Sequence, residues 1–64
     1  TEEGEIENLV KEVINENQKA VLDFKSGKET ALQFLIGQVM RKSRGKANPE
    51  ITQKILREIL TKEK

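Results

Sequence analysis

Neither cysteine nor histidine occurs in this 64-residue sequence, and both absences restrict its chemistry. Without cysteine the chain can form no disulfide and no thiolate metal site. Without histidine it lacks the most common general base near neutral pH and a frequent metal ligand. Asp and Glu could still bind Mg²⁺, but no group of acids has the spacing of a metal-binding loop. We therefore expect no catalytic residue, no metal site and no cofactor within the chain itself.

Aromatic residues and long apolar runs are also scarce. The sequence has no Trp and no Tyr, and its two Phe residues, Phe24 and Phe34, fall on apolar stripes predicted to face a core. An exposed aromatic platform that stacks on single-stranded bases is therefore not expected. No apolar run approaches the roughly 20 residues of a membrane span, and the acidic start, TEEGEIEN, is unlike a secretory signal. A first residue of Thr rather than Met suggests a processed product or a fragment of a larger subunit.

The charges nearly cancel but are unevenly distributed. The net charge is +1. Residues 1–16 contain six acids and one lysine, a balance of −5, whereas residues 17–46 contain seven basic residues and two acids, a balance of +5. Such an asymmetry can orient a small domain toward a polyanion. A well-solvated helical surface explains the same charges, and charge alone favours that second explanation.

Apolar residues recur at helical spacing along nearly the whole chain. The pattern predicts an all-α fold, a small bundle of three to four short helices with tight turns, forming a single domain over residues 1–64. The third helix, predicted at about residues 27–43, is the most apolar and should lie at the centre. The predicted inward-facing residues are Ile6, Leu9, Val10, Val13, Ile14, Ala20, Val21, Phe24, Ala31, Leu32, Phe34, Leu35, Ile36, Val39, Met40, Ile51, Ile55, Leu56, Ile59 and Leu60.

Cap residues predict where the first three helices meet. Asn17 is predicted to cap the second helix with its side chain. Ser26 and Glu29 match a capping box, in which the serine hydroxyl meets the amide of Glu29 at the start of the third helix. Gly27 would serve as the left-handed residue that ends the second helix.

Two glycines and an Asn-Pro pair shape the rest of the chain. Gly37 lies inside the third helix, where glycine costs about 1 kcal/mol relative to alanine; a close approach by another helix could offset that cost. Gly45 is predicted to end the third helix as its C′ residue. Asn48 is predicted to cap the fourth helix, with Pro49 at its first position.

Four basic residues surround the predicted end of the third helix: Arg41, Lys42, Arg44 and Lys46. Cations in the last helical turn favour the helix dipole by about 0.3–1 kcal/mol each, which accounts for the first two. The other two lie at or beyond the helix end and flank the glycine, so this explanation does not cover them. The fourth helix follows directly, and its N-terminal amides form a natural anion site. Phosphate could meet side-chain cations and backbone amides at one corner.

Contacts to the phosphates and sugars of a folded RNA suit this segment better than base reading. Lys25 and Lys28, at the preceding turn, would extend the basic surface if the helices pack antiparallel. The last two helices also resemble a helix-turn-helix, but Glu50 would repel phosphate at the start of the fourth helix. DNA is therefore not an expected partner.

Residues 27–50, GKETALQFLIGQVMRKSRGKANPE, resemble the signature of the C-terminal tail domain of GatB, the B subunit of aspartyl/glutamyl-tRNA amidotransferase. The same module occurs in the archaeal GatE subunit and in free-standing YqeY-like proteins. The upstream NQKAVLDFKSGK also fits, with Gln18 where proline is usual; Ser43 stands where threonine is usual. The resemblance covers essentially the whole chain, and GQVM followed by RGKANP is its most specific part.

The resemblance implies that the chain is a non-catalytic, tRNA-binding appendage of a cytoplasmic enzyme subunit. It would hold the tRNA body while a separate cradle domain converts Glu-tRNA(Gln) or Asp-tRNA(Asn) to the amidated form. The parent, a glutamine-hydrolysing amidotransferase, would use ATP and Mg²⁺ and act with the other subunits of the complex. Matched to the motif, the residues expected to meet RNA are Arg41, Lys42, Arg44 and Lys46, with Gly45 shaping the turn.

Two alternatives remain open at this level. The chain could be a protein-interaction module whose acidic first helix docks on a basic surface; the residues concerned would then be Glu2, Glu3, Glu5, Glu7 and Glu12. It could also be the C-terminal domain of a YqeY-like protein of unassigned function. The sequence does not specify the tRNA that is bound.

Overall fold

Four helices make up most of the chain in the computed structural model, which describes the backbone of residues 2–62 and the side chains of residues 3–62. They are α1 (Glu2–Glu16), α2 (Gln18–Lys25), α3 (Glu29–Lys42) and α4 (Pro49–Lys62). The described residues contain no strand, and the predicted all-α bundle is confirmed. The bundle measures 30 × 20 × 19 Å.

All four helices contribute to one hydrophobic core, and each of them packs against the other three. These contacts do not set α3 apart, so its central position stays a prediction. The buried apolar residues are Ile6, Val10, Val13, Val21, Ala31, Leu32, Leu35, Val39, Ala47, Leu56 and Leu60. The remaining predicted inward residues, with one exception, are half-buried and pack against this set. The core also contains Thr52, whose hydroxyl donates a hydrogen bond to the Asn48 carbonyl oxygen at 2.8 Å.

The exception is Phe34, whose predicted inward orientation is wrong. Its side chain is 48% exposed. Successive residues of an α-helix are rotated by about 100°. Because the neighbouring Leu35 faces the core, Phe34 is turned toward solvent on the outer side of α3. Leu22 of α2 is also exposed, at 66%.

The turn between α2 and α3 contains Gly27 as predicted, with a φ of +110°. The amides of Gly27 and Lys28 donate to the carbonyls of Phe24 and Asp23, both at 3.0 Å, which is the Schellman arrangement. The predicted capping box is wrong, because Ser26 is the helical C-cap of α2 and its hydroxyl donates to the Asp23 carbonyl at 2.8 Å. It cannot also adopt the extended conformation of an N-cap, so α3 begins after Lys28, which makes no side-chain cap.

Asn17 lies at the predicted N-cap position of α2, but its predicted side-chain bond is absent. Its Nδ2 atom instead donates to the Val13 carbonyl at 2.9 Å. The side chain therefore closes the end of α1 rather than the start of α2. In contrast, Asn48 caps α4 as predicted: its Oδ1 accepts the amides of Glu50 at 2.8 Å and Ile51 at 3.4 Å.

Gly37 does not mark a close helix contact. It is exposed in the middle of α3, and a Cβ atom built on it would meet no described atom within 4 Å. The packing role predicted for this glycine is therefore wrong. No contact within the bundle explains the glycine.

The end of α3 is shifted by one residue from the prediction. Ser43 is the C-cap, so the C′ position belongs to Arg44, with a φ of +59°, and Gly45 follows with a φ of +79°. The amide of Gly45 donates to the Met40 carbonyl at 2.8 Å, and that of Arg44 to the Arg41 carbonyl at 3.2 Å. Arginine thus occupies the left-handed position that favours glycine.

We expect Arg44→Gly to stabilise the fold by about 0.5–1 kcal/mol, because it removes the clash that an L side chain meets at positive φ. The greater freedom of glycine in the unfolded chain offsets part of the gain. Urea unfolding would measure the difference. Lys46→Gly is the matched control, since Lys46 lies in the same loop without a positive φ and should gain nothing. No gain at Arg44, or an equal gain at Lys46, would contradict this account.

Candidate nucleic-acid interface

Three cations form an exposed cluster at the end of α3 and in the following loop. We call Arg41, Arg44 and Lys46 the basic corner. All three side chains are exposed, and none of them forms a salt bridge with another described residue. Their charges are therefore not neutralised within the described part of the domain, which leaves them available to an anionic ligand.

Lys42, the fourth predicted cation, is placed differently. Its Nζ lies 3.0 Å from Glu16 Oε1 and 3.6 Å from Glu12 Oε2. The hydrogen bond to Glu16, together with the charges of both carboxylates, raises the pKa of Lys42 above its usual value, although partial burial opposes the shift. The last turn of α1 has no basic residue of its own, so Lys42 supplies the cation that favours the negative end of that helix. Its contact with RNA stays a prediction.

The N-terminal amides of α4 are not an open anion site, contrary to expectation. Pro49 has no N–H, and the amides of Glu50 and Ile51 donate to the Asn48 side chain. The amide of Thr52 donates to the Asn48 carbonyl at 2.8 Å. Since Asn48 already satisfies these donors, a phosphate at this end of the bundle would meet side-chain cations rather than free helix amides.

The loop that carries the basic corner is held by its own hydrogen bonds. Ser43 Oγ donates to the Met40 carbonyl at 3.0 Å and accepts the Ala47 amide at 3.1 Å. The amide of Lys46 donates to the Ser43 carbonyl at 3.2 Å, and Ala47 is buried in the core. Sequence reasoning assigned no role to Ser43 or Ala47. The sequence signal for this loop contact was a serine at the helix end followed four residues later by an apolar residue.

Lys25 and Lys28 lie at the opposite end of α3 from the basic corner. They flank the turn that precedes the helix, whereas Arg41 is in its last turn. Arg41 lies thirteen positions after Lys28, about 20 Å along the helix axis. The structure therefore does not bring these two lysines together with the basic corner, and their contact with RNA stays a prediction.

Two concave regions border these elements. A cleft of about 60 Å³ lies between α1 and the loop, where Glu5 and Lys46 line it without forming a salt bridge. A groove of about 510 Å³ lies between α2 and α3, and Lys19, Asp23 and Phe34 are among its lining residues. Its charges are of both signs, so it has no marked preference for an anion.

The acids of the alternative protein-interaction surface are partly engaged within the domain. Glu7 pairs with Lys11 at 3.3 Å, and Glu12 with Lys42. Glu3 and Glu5 are exposed. The side chain of Glu2, which belongs to the same proposed surface, lies outside the described residues.

Residues 3–62 contain no cluster of three or more acidic side chains that could hold a metal ion. None of the described helices is both long enough and apolar enough to cross a bilayer.

Comparison with known proteins identifies the family. A family model described as the GatB domain matches residues 1–60. The B subunit of the aspartyl/glutamyl-tRNA(Asn/Gln) amidotransferase of Caldanaerobacter subterraneus subsp. tengcongensis is 56% identical over 61 residues, which is 95% of this chain. The corresponding protein of Methanopyrus kandleri is 55% identical over 60 residues, 94% of this chain. That of Carboxydothermus hydrogenoformans is 53% identical over 62 residues, 97% of this chain.

The chain spans about 13% of the length of each of these relatives. No solved structure matches it significantly. The match to the family model covers the first three helices, most of α4 and the basic corner, and the resemblance to the GatB tail is confirmed. The chain belongs to the GatB/YqeY family, the family of the GatB domain.

Proposed function

We propose that this chain is the tRNA-binding appendage of an amidotransferase B subunit. It would hold the tRNA body while another part of the subunit converts Glu-tRNA(Gln) or Asp-tRNA(Asn) to the amidated form. Family membership and the names of the relatives, which are tRNA amidotransferase subunits, support the parent enzyme. The observation that carries RNA binding is the basic corner, three cations without an internal partner among the described residues.

The chemistry of the basic corner suits phosphate. The guanidinium groups of Arg41 and Arg44 each offer a planar fork of donors that matches two phosphate oxygens. Lys46 adds a compact positive charge to the same loop. Because Ser43 and Ala47 hold the loop, little backbone freedom would be lost on binding. Such contacts position an RNA by its backbone and do not read its bases.

We assign the catalytic activities of the proposed parent enzyme to parts of the subunit outside this chain. ATP, Mg²⁺ and the amide-forming chemistry would belong to the remaining length of the subunit, and the other amidotransferase subunits would be its partners. The described residues supply binding alone in this proposal. RNA binding can therefore be measured on the 64-residue chain, because no catalytic step is involved.

Titration of the isotopically labelled chain with bulk tRNA at low salt tests this function. We expect backbone amide shifts to cluster at residues 41–50, around the basic corner, because that is where phosphate would alter the local field. A parallel titration with heparin, matched in charge, is the control. Shifts confined to the exposed acids of α1, no shifts at all, or equal affinity for heparin and tRNA would contradict specific binding of a folded RNA. The absence of any shift would instead favour the protein-interaction alternative.

A further inference from the structure

The outer side of α3 carries a continuous exposed stripe that leads away from the basic corner. Its members recur at intervals of four, three and four residues, so they lie along one side of the helix. All are exposed. We call them the outer face of α3: Thr30, Phe34, Gly37 and Arg41.

This face is free of negative charge over its length. Residues 30–49 contain no Asp and no Glu, the longest such stretch in the sequence. The nearest acid on the helix is Glu29, whose Oε2 lies 3.3 Å from Arg57 Nη2 on α4. The outer face of α3 therefore has the basic corner at one end and only a compensated acid at the other. A polyanion that binds the corner would meet no like charge from α3 along this path. The groove beside Phe34 is lined by Glu16 and Asp23 of the two preceding helices, but also by Lys19 and Lys28, so these charges are balanced there.

At Gly37, in the middle of the outer face of α3, no side chain covers the helix backbone. A Cβ atom at this position would meet no described atom within 4 Å, so the glycine is not required by packing inside the bundle. Glycine in a helix interior also destabilises the helix relative to alanine. What the missing side chain does provide is direct access to the helix backbone from outside. A ligand can approach α3 more closely there than at any neighbouring position that carries a side chain.

Phe34 lies one turn before Gly37, with nearly half of its side chain exposed. It borders the groove between α2 and α3. An exposed aromatic ring beside a path for a polyanion suits stacking against a base or a ribose, which is tolerant of sequence. The distance along the axis from Arg41 to Phe34 is about 10 Å. The outer face of α3 thus presents, in order, the guanidinium of Arg41, the uncovered backbone at Gly37 and the aromatic ring of Phe34.

We propose that the sugar-phosphate backbone of the bound RNA runs along the outer face of α3, from the basic corner across Gly37 to Phe34. This inference rests on the proposed RNA-binding function and adds the path of the ligand. Charge complementarity favours RNA over another protein as the occupant, because the corner is cationic and the face carries no acid. Gly37 is the point of closest approach, and Phe34 contacts a ribose or base.

Gly37→Leu and Gly37→Ala test the path. Both residues favour helix and enter open space, so both variants should melt at or above the wild-type temperature. RNA affinity should nevertheless fall, by roughly tenfold or more for leucine, because its side chain occupies the volume assigned to the ligand. The slope of log affinity against log salt should stay unchanged, since no charge is lost. Asn15→Leu, on the exposed side of α1, is the control and should bind as the wild type does.

The possible results distinguish a failure of this inference from a failure of the proposed RNA-binding function. If Gly37→Leu folds and binds tRNA within about twofold of the wild type, the path is wrong while RNA binding at the basic corner can stand. If the variant binds tRNA normally but no longer assembles with the other amidotransferase subunits, the outer face contacts protein and the inference is overturned. If the wild-type chain binds no RNA, both proposals fail.

Discussion

Arg44→Glu combined with Lys46→Glu is expected to weaken tRNA binding by roughly tenfold to a hundredfold at low salt. In protein–nucleic acid complexes, each phosphate contact adds about one unit to the slope of log affinity against log salt concentration, so each contact matters most at low salt. Reversal removes two such contacts and places two negative charges near phosphate. The same dependence should become shallower by about 1.5–2 units. Fluorescence anisotropy over a range of salt concentrations measures both quantities.

The control for this experiment is Lys54→Glu combined with Lys62→Glu. Both lysines are exposed on α4, outside the basic corner, and neither forms a salt bridge with a described residue. The control changes the net charge by the same amount, so any general effect of charge appears in both proteins. If circular dichroism shows equal helicity, equal tRNA affinities for the wild type and the corner variant would contradict RNA binding at the basic corner.

Leu35→Ala is expected to destabilise the fold by about 2–5 kcal/mol, the range for deleting a buried leucine side chain. Leu35 is fully buried at the centre of α3, and the four helices all pack against one another around it. Small domains have a stability of about 0.05–0.15 kcal/mol per residue, or roughly 3–10 kcal/mol here. One substitution would therefore remove a large part of it, and the melting temperature should fall by about 10 °C or more.

Leu22→Ala provides the matched comparison, because it removes the same atoms from a side chain that is 66% exposed. Its effect should stay within about 0.5 kcal/mol. Thermal and urea unfolding followed by circular dichroism would measure both variants. Similar losses at the two positions would show that Leu35 does not lie in the core as the structure has it.

The helices and most of the core were predictable because their signals are local. Apolar spacing at about 3.6 residues identifies a helix wherever it folds, and all predicted inward positions except Phe34 lie at least partly buried. Asn48 and Pro49 are adjacent in sequence, so their cap on α4 depends on nothing distant. The cationic character of the segment around Arg44 was equally visible without a fold.

The exact residue at which a helix ends was harder to predict where one helix closely follows another. Ser26 suits either the end of α2 or the start of α3, and the residue can adopt only one backbone conformation. At the other end of α3, the rule that glycine takes the left-handed position pointed to Gly45. The helix ended one residue earlier, which put Arg44 there instead. Local rules rank such options, but the packing of the flanking helices selects between them.

By itself, the sequence determined the helical class, most of the core and the position of the positive charge, because each depends on residues close together in the chain. Tertiary structure decided which charges are free. Lys42 is compensated because α3 lies beside the end of α1, 26 residues earlier. Phe34 and Gly37 are exposed because no described helix covers that side of α3. Such facts depend on which helix faces are covered, and no local pattern encodes that.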